Sequence, residues 1–265
     1  MLPEAVRSPA DVTALGRELL GDDPARSGRV LHVAAVWREA SGVARVLRIG
    51  PYAPRSNHDR FVLALARARA EAIVTTGRIL REEPALTHGP LGAPELRSAL
   101  AAWRRERLVL GAKPWLLVLS SGRGLDQAHP AFSGPTRPLL FVPGDAAAEL
   151  RERFALTEVR VASVPKPSVR LALDHLHKLG AKRITIEAGP TTARELYEEP
   201  PSVDELWLTT YAGEAPAAEA TGEPFVGDAR LAATLPHGSA PSTRTESSGP
   251  WRFERRASGA ARRAQ

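Results

Sequence analysis

The sequence predicts an α/β fold with a mixed, mostly parallel sheet and helices on both faces. Three observations support this prediction. Short apolar runs recur along the chain, they alternate with segments of helical periodicity, and 265 residues suit one large domain. A parallel strand is covered on both faces, so it is expected to be continuously apolar rather than alternating.

Composition excludes several classes of protein. The chain has no Cys, which excludes a disulfide scaffold and zinc sites built on thiolates. No apolar run approaches the roughly 18–20 residues of a membrane span, and the N-terminal sequence lacks the pattern of a signal peptide, so we expect a cytoplasmic protein without a membrane partner. The net charge of +6 comes largely from the Arg-rich residues 252–265, so no nucleic-acid partner is expected.

The first half of the chain predicts three helices and three strands. The first helix is capped by Ser8, has Pro9 at its first position and Asp11 as the capping-box acid, and ends at Gly21. The other elements show either β-branched apolar runs or apolar residues at i, i+3, i+4 and i+7. The strands are predicted at 29–37, 43–49 and 72–75, and the helices from Ser56 or Asn57 and over 94–108.

The second half continues the alternation of strands and helices. Strands are predicted at 115–119, 139–142, 159–162, 184–187, 203–211 and 251–255, and helices at about 146–154, 167–179 and 191–197. Residues 213–249 are rich in Ala, Pro, Gly, Ser and Thr, so we expect a loop with at most one short strand. Residues 1–28 are interpreted as an N-terminal helix and loop, 29–256 as one domain, and 257–265 as a basic disordered tail.

Three predicted strands end in residues suited to a phosphate. In open α/β sheets, ligands bind at the carboxyl ends of strands, where glycine turns leave backbone N–H groups free. Arginine adds a forked cation, and serine and threonine add hydroxyls. The three segments are Thr75-Thr76-Gly77-Arg78, Ser120-Ser121-Gly122-Arg123 and Glu187-Ala188-Gly189-Pro190-Thr191.

These segments lie in blocks that resemble a known family. Residues 183–211, with IEAGP and later VDELWLTTY, resemble a strand, an E-G-G-P turn, a helix and a V-D-E-L strand; residues 57–87 resemble a D-R helix followed by a G-x-G-T turn. Residues 115–141 and Trp251-Arg252-Phe253 match further blocks in the same order. Over roughly residues 29–256 the chain resembles the dihydrofolate-reductase-like superfamily, and within it the reductase domain of riboflavin biosynthesis.

The resemblance implies a three-layer fold that binds NADPH along the three strand ends. Thr75, Thr76, Gly77 and Arg78 would approach the cofactor phosphates, and Ser120, Ser121 and Arg123 the adenosine 2′-phosphate. The residues from Glu187 through Ala188, Gly189 and Pro190 to Thr191 would lie along the pyrophosphate and nicotinamide. The implied activity is that of a 5-amino-6-(5-phosphoribosylamino)uracil reductase-like enzyme, with hydride transfer to a pyrimidine (ribosylamino) or pterin-like small molecule. A homodimer formed through edge strands is also implied.

One departure from the family pattern leaves an alternative open. The family places an Asp near the end of its first strand, whereas this region reads Val36-Trp37-Arg38-Glu39-Ala40, so Glu39 is the candidate catalytic acid. His58 and Asp59, at a helix start, are candidate substrate-binding residues. The alternative is a catalytically inactive nucleotide-binding or partner-binding relative. A Rossmann enzyme using NAD is disfavoured because no glycine fingerprint is present, and no metal site is expected.

Overall fold

The computed structural model describes residues 1–26, 28–48 and 50–259. The first two helices begin at polar caps that the sequence predicts. Ser8 and Asp11 form a reciprocal capping box at the first helix, and Ser56 accepts a hydrogen bond from the backbone N–H of Asp59 at the second. The helices are α1 (Pro9–Leu20), α2 (Asn57–Arg69), α3 (Gly77–Glu82), α4 (Pro94–Arg107), α5 (Gly144–Arg153), α6 (Val169–Lys178), α7 (Pro190–Ala193) and α8 (Asp228–Thr234).

Within the described residues, twelve strands form one mixed sheet. They are β1 (Val30–Arg38), β2 (Ala44–Leu47), β3 (Ala72–Thr76), β4 (Trp115–Leu119), β5 (Arg137–Pro143), β6 (Arg160–Val164), β7 (Ile184–Ile186), β8 (Glu205–Tyr211), β9 (Thr221–Pro224), β10 (His237–Gly238), β11 (Ser242–Glu246) and β12 (Gly249–Ala257). The main path runs β10-β12-β8-β1-β7-β3-β4-β5-β6, and the strands from β8 to β6 along it are parallel. The prediction of a mixed, mostly parallel sheet is therefore confirmed.

Helices cover both faces of the sheet, which gives the predicted three layers. Leu31, Ile73 and Leu116 occupy equivalent register positions and face α1, α2, α4 and α5. The residues before or after them in each strand, such as Val74 and Leu117, face α6 and α8. Both sets are fully buried, so the central strands are apolar throughout.

The N-terminal helix α1 belongs to the same core as the sheet. Val12, Leu15 and Leu19 are fully buried and pack with residues of α2 and α4. Residues 260–265, most of the predicted basic tail, lie outside the described residues. No helix in the described ranges is long and apolar enough to span a membrane.

The expectation of a loop with at most one short strand at 213–249 is wrong. This region contains β9, α8, β10 and β11. Strand β11 is polar throughout (STRTE) and forms an antiparallel hairpin with β12 that turns before Gly249, whose φ is 124°. A strand that lies off the main path of the sheet shows little of the apolar pattern by which the central strands were found, because it has less surface to bury.

Candidate functional site

A cleft of about 860 Å³ lies at the carboxyl ends of the central strands. Strands β1, β7, β3 and β4 are neighbours in that order, so the loops that follow them meet at one edge of the sheet. The cleft contains eleven of the residues singled out in the sequence. They are Asp59, Thr76, Gly77, Arg78, Ser120, Ser121, Glu187, Ala188, Gly189, Pro190 and Thr191.

The loop after β3 is held close to the loop after β4. A Cβ added to Gly77 would lie 2.7 Å from the Ser120 Oγ, so glycine at this position permits the two loops to touch. The Thr76 hydroxyl caps α3 by accepting a hydrogen bond from the Ile79 N–H at 3.3 Å. Thr75 is fully buried in β3 and does not line the cleft, so its predicted contact with the cofactor has no support from its position.

The loop after β4 brings hydroxyls into the cleft but leaves the predicted arginine outside it. Ser120 and Ser121 line the cleft, and the Ser120 Oγ accepts a hydrogen bond from the Gly122 N–H at 3.0 Å. Arg123 is exposed and does not line the cleft. Arg81 does line it, and its Nη1 donates to the Arg123 carbonyl at 3.1 Å. Arg81 is therefore a cation that lines the cleft beside the predicted one.

The loop after β7 presents an open backbone surface. A Cβ added to Gly189 would meet no heavy atom within 4 Å, and Ala188 and Pro190 on either side also line the cleft. The helices that follow these loops are short, with six residues in α3 and four in α7. A large helix dipole is therefore not available, and anion binding would depend on loop N–H groups and on arginine side chains.

An ion pair connects α2 with the end of β7. The Arg67 Nε donates to the Glu187 Oε1 at 2.8 Å and its Nη2 to the Oε2 at 2.6 Å. The two side chains are 4% and 10% exposed. Burial raises the pKa of Glu187, but the Arg67 guanidinium outweighs burial and holds the pKa below its ordinary value. Glu187 therefore stays ionised at neutral pH, as a fixed acceptor in the cleft.

One face of α2 forms a wall of the cleft. Asp59, Leu63 and Arg67 are spaced at i, i+4 and i+8, and all three line the cleft. Of these three, only Asp59 was a predicted site residue. The same helical spacing counted forward from Asp59 could have identified the other two, because residues four apart share a helix face.

Two carboxyl groups in the cleft have raised pKa values. Burial raises the pKa of Asp59 to about 6, with a contribution from the Glu246 carboxylate, although a hydrogen bond with Thr209 opposes the rise. Burial also raises the pKa of Glu83 to about 6, and Glu187 adds to this while Arg67 opposes it. A carboxyl that titrates near neutral pH can both give and take a proton in a catalytic cycle.

A buried histidine forms part of the cleft floor. His32 on β1 is 1% exposed, and its Nδ1 lies 2.8 Å from the Tyr197 hydroxyl. Its ring also packs against Phe225, with the ring centroids 5.6 Å apart. Burial lowers the pKa of His32 to about 4, so the imidazole is neutral at neutral pH.

Two further candidates do not line the cleft. Glu39 forms an ion pair with Arg45 and a hydrogen bond with Ser41 at the turn between β1 and β2. His58 is buried, and its Nδ1 lies 2.9 Å from Glu246, which also accepts from the backbone N–H of Asn57. His58 therefore helps to hold the start of α2. Within residues 1–26, 28–48 and 50–259, no three His, Asp or Glu side chains are grouped as metal ligands.

Comparison with known proteins gives the fold. No family model matches the sequence, and no curated protein matches it. Among solved structures, a pyrimidine reductase-like protein from Corynebacterium diphtheriae has a TM-score of 0.63 at 22% identity, covering 92% of this chain and 98% of that one. RibD from Acinetobacter baumannii has a TM-score of 0.59 at 14% identity, covering 88% of this chain and 58% of that one. The riboflavin biosynthesis reductase Rib7 from Saccharomyces cerevisiae has a TM-score of 0.51 at 12% identity, covering 92% and 98%.

These similarities confirm the dihydrofolate-reductase-like fold that the sequence resemblance implied. The chain spans little more than half of the Acinetobacter protein, and nearly the whole length of the other two. At identities of 12–22% the similarity establishes architecture, since one fold supports many functions. Any activity therefore depends on the residues that line the cleft.

Proposed function

We propose that this chain is an NADPH-dependent reductase of the riboflavin-reductase-like group, acting on a pyrimidine (ribosylamino) or pterin-like substrate. One observation carries the proposal: three loops suited to phosphate and a pair of carboxyl groups with raised pKa values line the same cleft. Two neighbours in fold carry names that include reductase, which supports the same class of reaction.

The cofactor would lie across the loops after β3, β4 and β7. The open surface at Gly189 offers room for a diphosphate against the backbone, and Arg78 lies on the opposite loop. Ser120, Ser121 and Arg81 are grouped where they could receive the 2′-phosphate that distinguishes NADPH from NADH. When bound, NADPH would supply the hydride for the reduction.

The residues of the chain would position the substrate and supply a proton. Reduction of a C=N bond adds a hydride to carbon and a proton to nitrogen. The proton would pass from the Asp59 carboxyl to the substrate nitrogen, and the resulting carboxylate would be reprotonated from solvent. Glu187, kept ionised by Arg67, would accept a hydrogen bond from a substrate N–H group.

A second candidate is a relative that binds the nucleotide without catalysing its oxidation. One observation favours it: Glu39, the sole acid at the end of β1, is paired with Arg45 outside the cleft, so no β1 carboxylate reaches a substrate. The two candidates share the cofactor site and differ only in whether Asp59 or Glu83 can take over the acid role.

A substrate screen separates the two candidates. Purified protein with NADPH would be supplied with ribosylamino-pyrimidines, pterins and simple imines, and the loss of reduced nicotinamide absorbance followed. Steady turnover that falls in Asp59→Asn supports the reductase. Saturable NADPH binding without turnover on any of these substrates supports the non-catalytic relative, and absence of binding contradicts both. A homodimer remains part of the proposal, and light scattering in solution would test it.

A further inference from the structure

Strand β9 places a carboxylate between two of the loops proposed to hold the cofactor. The Glu223 Oε2 accepts a hydrogen bond from the Thr191 Oγ1 at 2.6 Å, and its Oε1 accepts one from the Arg78 Nη1 at 3.2 Å. Arg78 also donates from its Nε to Glu82 at 2.8 Å. One side chain from a distant segment thus joins the loop after β3 to the loop after β7.

Backbone pairing fixes the position of Glu223. Strand β9 is antiparallel to β2, and the paired positions shift from Leu47 opposite Thr221 to Arg45 opposite Pro224. Strand β9 therefore has one more residue than β2 between these pairs, which is the arrangement of a bulge that re-aims a side chain. A Cβ added to Gly222 would lie 2.8 Å from the Val46 carbonyl oxygen, so β9 lies tightly against β2.

The groups that hold Glu223 are the ones suited to a phosphate. A guanidinium and a hydroxyl on neighbouring loops bind carboxylate and phosphate oxygens through the same charge-assisted hydrogen bonds. Hydrogen bonds from Thr191 and Arg78 hold the pKa of Glu223 below its ordinary value, so it carries a negative charge at neutral pH. A cofactor diphosphate at this position would have to displace that charge or be repelled by it.

We propose that Glu223 acts as an internal anion that competes with the cofactor's diphosphate for Arg78 and Thr191. Strand β9 is then a gate on the cofactor site, and cofactor affinity is set by the exchange of one anion for another. This inference rests on the proposed function, because the competitor is the diphosphate of the proposed cofactor. The contacts are only partly buried, with Arg78 54% and Glu223 40% exposed, so the competition is modest.

The test compares NADPH affinity in the wild-type protein, Glu223→Gln and Glu214→Gln by calorimetry. Glu214 is exposed, precedes β9 in the chain, does not line the cleft and has no ion pair among the described contacts, so its variant controls for net charge. Removing the charge at 223 is expected to tighten NADPH binding about three- to tenfold, which corresponds to roughly the worth of one or two exposed ion pairs. Glu214→Gln is expected to bind like the wild type.

Each outcome is decisive. Tightening in Glu223→Gln alone supports the gate. Equal tightening in both variants shows a general charge effect and overturns it. Unchanged NADPH binding in Glu223→Gln also overturns it, since the carboxylate would then have no effect on the cofactor. Weaker binding overturns it as well, since the carboxylate would then help to bind the cofactor. If the wild-type protein binds NADPH and Glu223→Gln does not bind it more tightly, only this inference is overturned. If none of the three proteins binds NADPH, the proposed function is overturned as well.

Discussion

Asp59→Asn should stabilise the protein at neutral pH. The pKa of Asp59 rises from 3.8 to about 6 on folding, chiefly because the carboxyl is buried beside the cleft. At about 1.4 kcal/mol for each tenfold change, this rise corresponds to a penalty of about 3 kcal/mol on the charged form. The side chain is half-buried, and solvent screening reduces the expected effect to about 1–2 kcal/mol.

The pH dependence of this effect has a definite sign. Because the pKa is raised on folding, the contribution of Asp59 to stability is fully present below pH 3.8 and is lost as the pH rises through about 6. Asparagine resembles the protonated acid at every pH. The advantage of Asp59→Asn should therefore be small near pH 4, grow up to about pH 6 and stay constant above it.

Urea unfolding of wild type and variant at a series of pH values measures this difference. Asp228→Asn is a control of opposite sign, because Arg38 lowers the pKa of Asp228, so its loss should destabilise the protein only at higher pH. A stability difference at Asp59 that does not change with pH would refute the reasoning. In Asp59→Asn we also expect turnover to fall, although the protein becomes more stable. That combination would separate the role of the Asp59 carboxyl in catalysis from its cost to stability.

Five other single substitutions and one double variant test the rest of the site. Arg67→Met should lower the free energy of unfolding in urea by about 3–5 kcal/mol, because it leaves the buried Glu187 unpaired. Arg67→Met combined with Glu187→Gln should recover more than half of this loss, and no recovery would contradict the pairing. Gly189→Ala should keep the wild-type melting temperature but bind NADPH about tenfold more weakly in calorimetry. Gly77→Ala should lose about 1–3 kcal/mol of stability, because its Cβ would clash with Ser120. A loss of stability at Gly189 and none at Gly77 would contradict the loop geometry. Arg81→Ala should weaken NADPH binding about tenfold with little effect on NADH binding, and Arg123→Ala should weaken NADPH binding less. A larger loss of NADPH affinity in Arg123→Ala would instead support the sequence prediction for Arg123.

The central part of the fold could be predicted from the sequence because burial on both faces leaves a local signal. Trp115–Leu119 is apolar at every position, and the strand is buried at every position. The region 213–249 gave no such signal. Strand β11 has only polar and charged residues, and its pairing with β12 depends on contacts that no short window of sequence contains.

The candidate site divides in the same way. The loops at Gly77, Ser120 and Gly189 could be predicted because strand ends in a parallel sheet converge. The ion pairs that Arg67 and Glu223 make with these loops could not be predicted, since each side chain reaches its loop from another part of the chain. Arg67 reaches Glu187 across 120 residues of sequence, and Glu223 reaches Arg78 across 145. Such contacts follow from topology rather than from local pattern.

Hydrogen exchange with and without saturating NADPH tests the central claim most directly, because it reports on all three loops at once. If the dinucleotide lies across all three loops, amide exchange should slow in the segments around Gly77, Ser120 and Gly189 together, with little change in α8 or β11. Saturable binding that protects none of these segments, or only one of them, would contradict the claim that a dinucleotide lies across the three strand ends.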